Sequence, residues 1–96
     1  MKGYIYKIFI KDCPEFDKIY IGATTRKPCK RVAEHKYKFN KGVKDTRSFY
    51  IYEYANQNNL NVEYETIEEI EYDKLVELFY KEFLYIASTD NAINKI

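Results

Sequence analysis

Two β-patterned runs on either side of a proline-bearing loop constrain how this chain begins to fold. Tyr4-Ile5-Tyr6-Lys7-Ile8-Phe9-Ile10 is β-branched or aromatic at every position but Lys7 and reads as a strand. Lys18-Ile19-Tyr20-Ile21-Gly22 reads as a second. Between them Asp12-Cys13-Pro14-Glu15-Phe16-Asp17 is a loop, because Pro14 lacks a ladder donor and the aspartates favour turns. Over so short a connection the simplest pairing is an antiparallel hairpin. Gly22 closes the second strand where backbone bends or comes close to something.

Helical spacing takes over downstream. Pro28 suits the first turn of a helix, and Cys29, Val32, Ala33 and Tyr37 then recur on one expected face. Asn40-Lys41-Gly42 ends that helix. Residues 47–56 carry competing signals: Phe49 to Tyr52 has strand propensity, while Phe49, Tyr52 and Ala55 recur helically, and the segment is assigned to a helix. Asn56 to Asn59 reads as a turn. Val62, Tyr64 and Thr66 alternate within a third strand, Asn61 to Ile67. Asp73 is the expected N-cap of a last helix running to about Ile86, with Leu75, Leu78, Phe79, Phe83 and Ile86 as its apolar stripe. The expected class is α+β: one small domain over 1–96, in the order β-β-α-α-β-α, with a three-stranded antiparallel sheet flanked by helices.

The chain has 96 residues, room for one core and no more. Eleven Tyr and six Phe supply much of its apolar surface, and many of the phenols should sit at the core edge with the oxygen wet. No run approaches the ~18 apolar residues of a membrane helix. Met1-Lys2-Gly3-Tyr4 passes directly into strand-like sequence with no signal-peptide pattern, so an intracellular, non-secreted chain is expected. Cys13 and Cys29 lack ligand spacing and read as two reduced thiols. The net charge of +1 conceals an asymmetry. Residues 1–47 hold 13 Lys/Arg against 5 Asp/Glu, and residues 48–96 hold 3 against 10. Such blocks are commonly just solvated faces, but a basic half can also track the phosphates of a polyanion. Arg26, Lys27, Lys30 and Lys38 are its candidate contacts.

Three groups of residues invite a chemical reading. Glu82 falls inside the apolar stripe of the last helix, where a lone carboxylate costs several kcal/mol in desolvation. An ion pair with Arg or Lys, a side chain reaching out to water, or a bound cation would each relieve it. Arg31 and His35, four apart, are neighbours on one helix face near Lys38. One is a planar fork matched to phosphate and the other titrates near neutral pH, although a solvated basic face would look the same. Tyr6 and Tyr20 are strand tyrosines whose default role is packing. A phenol with its pKa near ~10 needs cationic neighbours to serve as a base.

Taken in order, Tyr4-Ile5-Tyr6, Tyr20-Ile21-Gly22-Ala23-Thr24, Arg31, His35 and Glu82 resemble the pattern of the GIY-YIG nuclease superfamily. Tyr20 to His35 is the most specific stretch, similar to a YIG-x-T segment followed by R-x-x-x-H. The match extends over nearly the whole chain, with Glu82 and Asn94 similar to the family's acidic helix and terminal Asn. The resemblance implies a DNA endonuclease with one divalent cation, Mg2+ or Mn2+, held mainly by Glu82. It implies that Tyr6, with Tyr20, orients or deprotonates the attacking water, and that Arg31 stabilises charge on the phosphorane-like transition state. His35 would support a tyrosine or shuttle a proton, and Asn94 would hold the last segment against the site. The sequence departs from the pattern in having Tyr4 where the first motif has glycine, with Gly3 one place earlier, and in a longer loop at Cys13 to Asp17. No added DNA-binding module follows within these residues. Target choice is then expected to come from this domain, a homodimer or a protein partner. The alternative expectation is a catalytically inactive GIY-YIG-like nucleic-acid-binding module. A third is a small interaction domain using exposed tyrosines and the acidic half.

Overall fold

In the computed structural model, which describes residues 1–95, the first two strands pair as the hairpin their sequences call for. β1 (Lys2–Ile10) is antiparallel to β2 (Tyr20–Thr24), with Tyr6 opposite Gly22 and Ile8 opposite Tyr20. β1 also pairs antiparallel with β3 (Val62–Glu71), so the sheet order is β2-β1-β3 and β1 is the middle strand. The helices are α1 (Pro28–Asn40), α2 (Ser48–Gln57) and α3 (Leu75–Ser88). The class and order are those expected: α+β, β-β-α-α-β-α, on a three-stranded antiparallel sheet. Among the described residues no helix is long and apolar enough to cross a membrane.

Alternation along β1 divides the core in two. Tyr6, Ile8 and Ile10 point to one face, where Ile51, Tyr52 and Ala55 of α2 cover them and Val32 and Phe39 of α1 close the side. Ile5 points to the other face, against Ile21 of β2, Leu78 of α3 and Tyr72. Period-2 geometry makes this split unavoidable in a middle strand covered on both sides. A bulge between Ile5 and Tyr6 shifts the β3 register. Val62, Tyr64 and Thr66 share the face of Ile10, Ile8 and Tyr6, whereas Ile70, opposite Gly3, lies on the α3 face with Ile67. β3 therefore runs past the expected end at Ile67 to Glu71. As an edge strand it carries Glu63, Glu65, Glu68, Glu69 and Glu71, and such charge deters edge-to-edge pairing.

The described residues also correct three local expectations. The inward face of α1 is not Cys29, Ala33 and Tyr37, all exposed, but Pro28, Val32, His35 and Phe39. A histidine takes the central core position because hydrogen bonds await it there, a circumstance hydropathy does not encode. In α3 only Leu78 of the expected stripe is fully buried. Leu75, Phe79 and Phe83 stand 45–62% exposed, and the inward line runs Leu78, Glu82, Tyr85 and Ile86. A sheet this narrow covers one ridge of the helix and leaves its flank outside. The N-cap of α3 is Lys74 rather than Asp73, and the Glu77 carboxylate accepts from the N–H groups of both, at 2.7 and 3.0 Å.

Candidate active site

The site is built where Tyr6 of the middle strand crosses the edge strand β2. Tyr6 is 1% exposed, and its ring passes over Gly22 so closely that a Cβ there would lie 2.5 Å from the phenol oxygen. Gly22 is thus required by volume: the described residues place positive φ on Gly42 alone among the glycines. The Tyr6 hydroxyl meets His35 Nε2 at 2.8 Å. Tyr20, beside Tyr6 with ring centroids 6.5 Å apart, packs edge-on to the same imidazole at 5.1 Å.

The far nitrogen of His35 is held from α2 and the loop before it. Ser48 Oγ lies 2.7 Å from Nδ1, Thr46 Oγ1 lies 3.4 Å from it, and the two hydroxyls are 2.6 Å apart. If Tyr6 donates to Nε2, the ring must be the Nδ1–H tautomer, which donates to Ser48 Oγ. Ser48, 2% exposed, is the functional residue that sequence reasoning missed. It stands at the start of an apolar helix, and nothing in its local pattern points to a histidine 13 residues earlier. Burial depresses the His35 pKa to about 4, the Arg31 guanidinium adding to the effect, so the imidazole is neutral near pH 7.

Arg31 is partly buried on α1, one turn before His35. Its guanidinium donates to Glu34 Oε1 at 3.1 Å, and Arg26 donates to the same oxygen at 2.6 Å, so one carboxylate holds two arginines side by side. Burial pushes the Tyr6 and Tyr20 phenols above their ordinary range. Arg31 opposes that rise in both, while the charge of Glu82 adds to it in both. Arg31 from α1 and Glu82 from α3 thus act electrostatically on the same two hydroxyls.

Glu82 is half-buried, and no Lys, Arg or His among the described residues pairs with it. Burial raises its pKa, and a backbone hydrogen bond from Ala23 partly offsets the rise. The ion-pair explanation for a carboxylate in this stripe is therefore not the one used. No group of three or more His, Cys, Asp or Glu able to hold a metal occurs among the described residues.

Asn94 acts at the free edge of β2. Its Nδ2–H donates to the Ile21 carbonyl at 2.7 Å and its Oδ1 accepts from the Ile21 N–H at 3.3 Å, imitating a neighbouring strand. With the parallel bridge of Ile19 to Ala92, it straps the C-terminal segment to the strand that carries Tyr20 and Gly22. Of the basic candidates, Arg26 is engaged by Glu34 and Lys38 by Asp45, while Lys27 and Lys30 are exposed at the start of α1. A groove of 390 Å³ between α1 and α2 holds none of the expected catalytic residues. A smaller cleft of 260 Å³ is lined by Arg31 itself. Compared with family models, with curated proteins and with solved structures, the chain finds no match.

Proposed function

We propose that this domain is a GIY-YIG-type, metal-dependent endonuclease that hydrolyses phosphodiester bonds in DNA. The observation that carries the reading is the 2.8 Å contact of Tyr6 with a buried, neutral His35, set within the fields of Arg31 and Glu82. Hydrolysis of a phosphodiester needs an oriented water, neutralised charge at phosphorus and a route for the proton.

Glu82 suits a cation because it is half-buried and unpaired. Mg2+ in particular needs only one or two carboxylates, completing its sphere with waters and phosphate oxygens. Bound there, one Mg2+ or Mn2+ would supply charge neutralisation at the phosphate and offset the part that Glu82 adds to the burial-driven rise of both tyrosines. Tyr6, donating to Nε2, keeps an oxygen lone pair to accept from the attacking water. As that water gives up its proton to Tyr6, the phenol proton passes to Nε2, and Ser48 holds the ring in place through Nδ1. A phosphate against Arg31 weakens the second-largest influence that keeps His35 neutral, so substrate binding itself eases this transfer. Arg31, steadied by Glu34, faces the charge that builds on the phosphoryl oxygens. Lys27 and Lys30 would follow the flanking phosphates.

The test is incubation of supercoiled plasmid with Mg2+ or Mn2+, with EDTA and Glu82→Ala as controls. Nicking or linearisation by the wild type, abolished by EDTA and reduced more than about 100-fold in Glu82→Ala, is the expected result. Wild-type rates in Glu82→Ala would remove the metal assignment. Salt-sensitive binding without cleavage would favour a binding module instead.

A further inference from the structure

Next to the candidate catalytic residues the domain leaves an opening of mixed chemistry. Ala23, Leu75, Leu78 and Phe79 supply its apolar lining, and Thr24, Thr25, Arg26 and Arg31 its polar and cationic lining. The volume, 260 Å³, is below the usual size of a drug-like ligand site and suits one small planar group. Phe79 is 49% exposed and Leu75 45%, which leaves apolar surface in water at a site flanked by guanidinium groups. Both arginines are tethered to Glu34, so the two cationic forks are presented as a pair. Phe79 also lies three residues before Glu82 on α3, about 4.5 Å along the helix axis and on a neighbouring surface.

Given the nuclease reading, on which this step rests, we propose that the cleft seats an unpaired nucleobase next to the scissile phosphate. The base stacks on Phe79, and Arg31 and Arg26 hold successive phosphates. An exposed aromatic ring beside cationic groups is the combination that binds single-stranded nucleic acid, stacking for the bases and charge for the backbone. A base inside an intact duplex has both faces covered by its neighbours and has none to offer Phe79. The preferred substrate therefore carries a splayed or unpaired nucleotide at the cut, such as a flap, an overhang or a bulge. Thr24 Oγ1 accepts from the Arg26 N–H at 3.1 Å, and Thr25 is the only other uncharged polar side chain among the described lining residues, so few groups there can read base edges. Selection is by DNA structure rather than by sequence.

The experiment measures binding in EDTA, so that no cleavage intervenes. Two fluorescent DNAs of one sequence are compared, a full duplex and a duplex with a short single-stranded overhang bearing 2-aminopurine. The wild type should bind the overhang more tightly and quench the 2-aminopurine. Phe79→Ala should weaken overhang binding by about 5- to 100-fold, abolish the quench and leave duplex affinity unchanged. Phe79→Tyr should restore both, which separates stacking from loss of fold, and a thermal melt of each variant checks folding. Equal losses on both DNAs, or no loss, would overturn the proposal. A dimer that Phe79→Ala dissociates while DNA binding is unchanged would overturn it too, by assigning the face to a second copy. A wild type that binds these DNAs in EDTA and cuts plasmid in the Mg2+ assay, with Phe79→Ala matching it in both, sinks the base cleft alone. A wild type that neither binds nor cuts sinks the nuclease reading itself.

Discussion

At the scale of single residues, Gly22 is where sequence and chemistry meet most tightly. The missing Cβ at Gly22 leaves the space that the end of the Tyr6 ring occupies, and at 1% exposure Tyr6 has little room to swing aside. Gly22→Ala should therefore displace the phenol and break its contact with His35, with little effect on strand geometry. The expected loss in cleavage is about 10²- to 10⁴-fold, the range for a misplaced acid–base group. NMR of the His35 ring should report the broken contact directly. An alanine variant with normal cleavage and an unaltered ring signal would show that Tyr6 needs neither the space nor the partner. Ser48 belongs to the same scale: a serine at a helix start is ordinary, and its meaning comes only from the 2.7 Å approach to Nδ1.

At the scale of elements, α3 is anchored by one ridge. Leu78 is fully buried and sits on Gly3, where a Cβ would come within 2.7 Å of it, and Ile5 and Ile21 complete its surroundings. Leu78→Ala should cost about 2–5 kcal/mol in urea unfolding. Val76→Ala, on the exposed flank at 66% exposure, should change stability by no more than about 0.5 kcal/mol. Similar costs at the two positions would contradict the packing described for this helix. The same ridge carries Glu82 to the edge of β2, so function and anchoring share one helical line. Gly3, displaced by one place from the motif it resembles, finds its reason here as the close-packing partner of α3.

At the scale of the whole molecule, the sheet order separates the charges. The acidic strand β3 and the candidate site at β2 occupy opposite edges, with β1 between. Stability should also depend on pH through one buried ring. His35 has a folded pKa of about 4 against an ordinary 6.5, so the unfolded chain binds more protons between those values and stability falls as pH falls through that window. The full penalty, about 3 kcal/mol, is reached below pH 4. Arg31, Lys38 and Glu34 on α1, Asp45 in the following loop, Tyr6 on β1 and Tyr20 on β2 face the ring, with Ser48 from α2. Glu34 and Asp45 have lowered pKa values and lose their contribution only at more acid pH. Glu82, raised by burial, acts in the opposite direction near the carboxylate range. Urea midpoints from pH 7 to 5 should decline for the wild type and flatten for His35→Gln. A wild-type midpoint that does not move would contradict the buried neutral ring.

By itself the sequence determined the hairpin and the order of elements, and it nominated Tyr6, Tyr20, Arg31, His35 and Glu82 as candidate site residues. Strand propensity, turn chemistry and helical spacing act over a few residues, and a motif is a string of such short signals. Residues 47–56, where local signals conflicted, became a helix because Ile51, Tyr52 and Ala55 had Tyr6, Ile8 and Ile10 to cover. Only the tertiary structure decided that His35 faces inward, that Ser48 holds its far nitrogen and that Tyr6 needs the empty space at Gly22. It alone left Phe79 and Phe83 outside, because how much of a helix is buried depends on the width of what it packs against. Contacts between distant elements are set by shape and by which hydrogen-bonding groups meet, and neither is written in the spacing of any one segment.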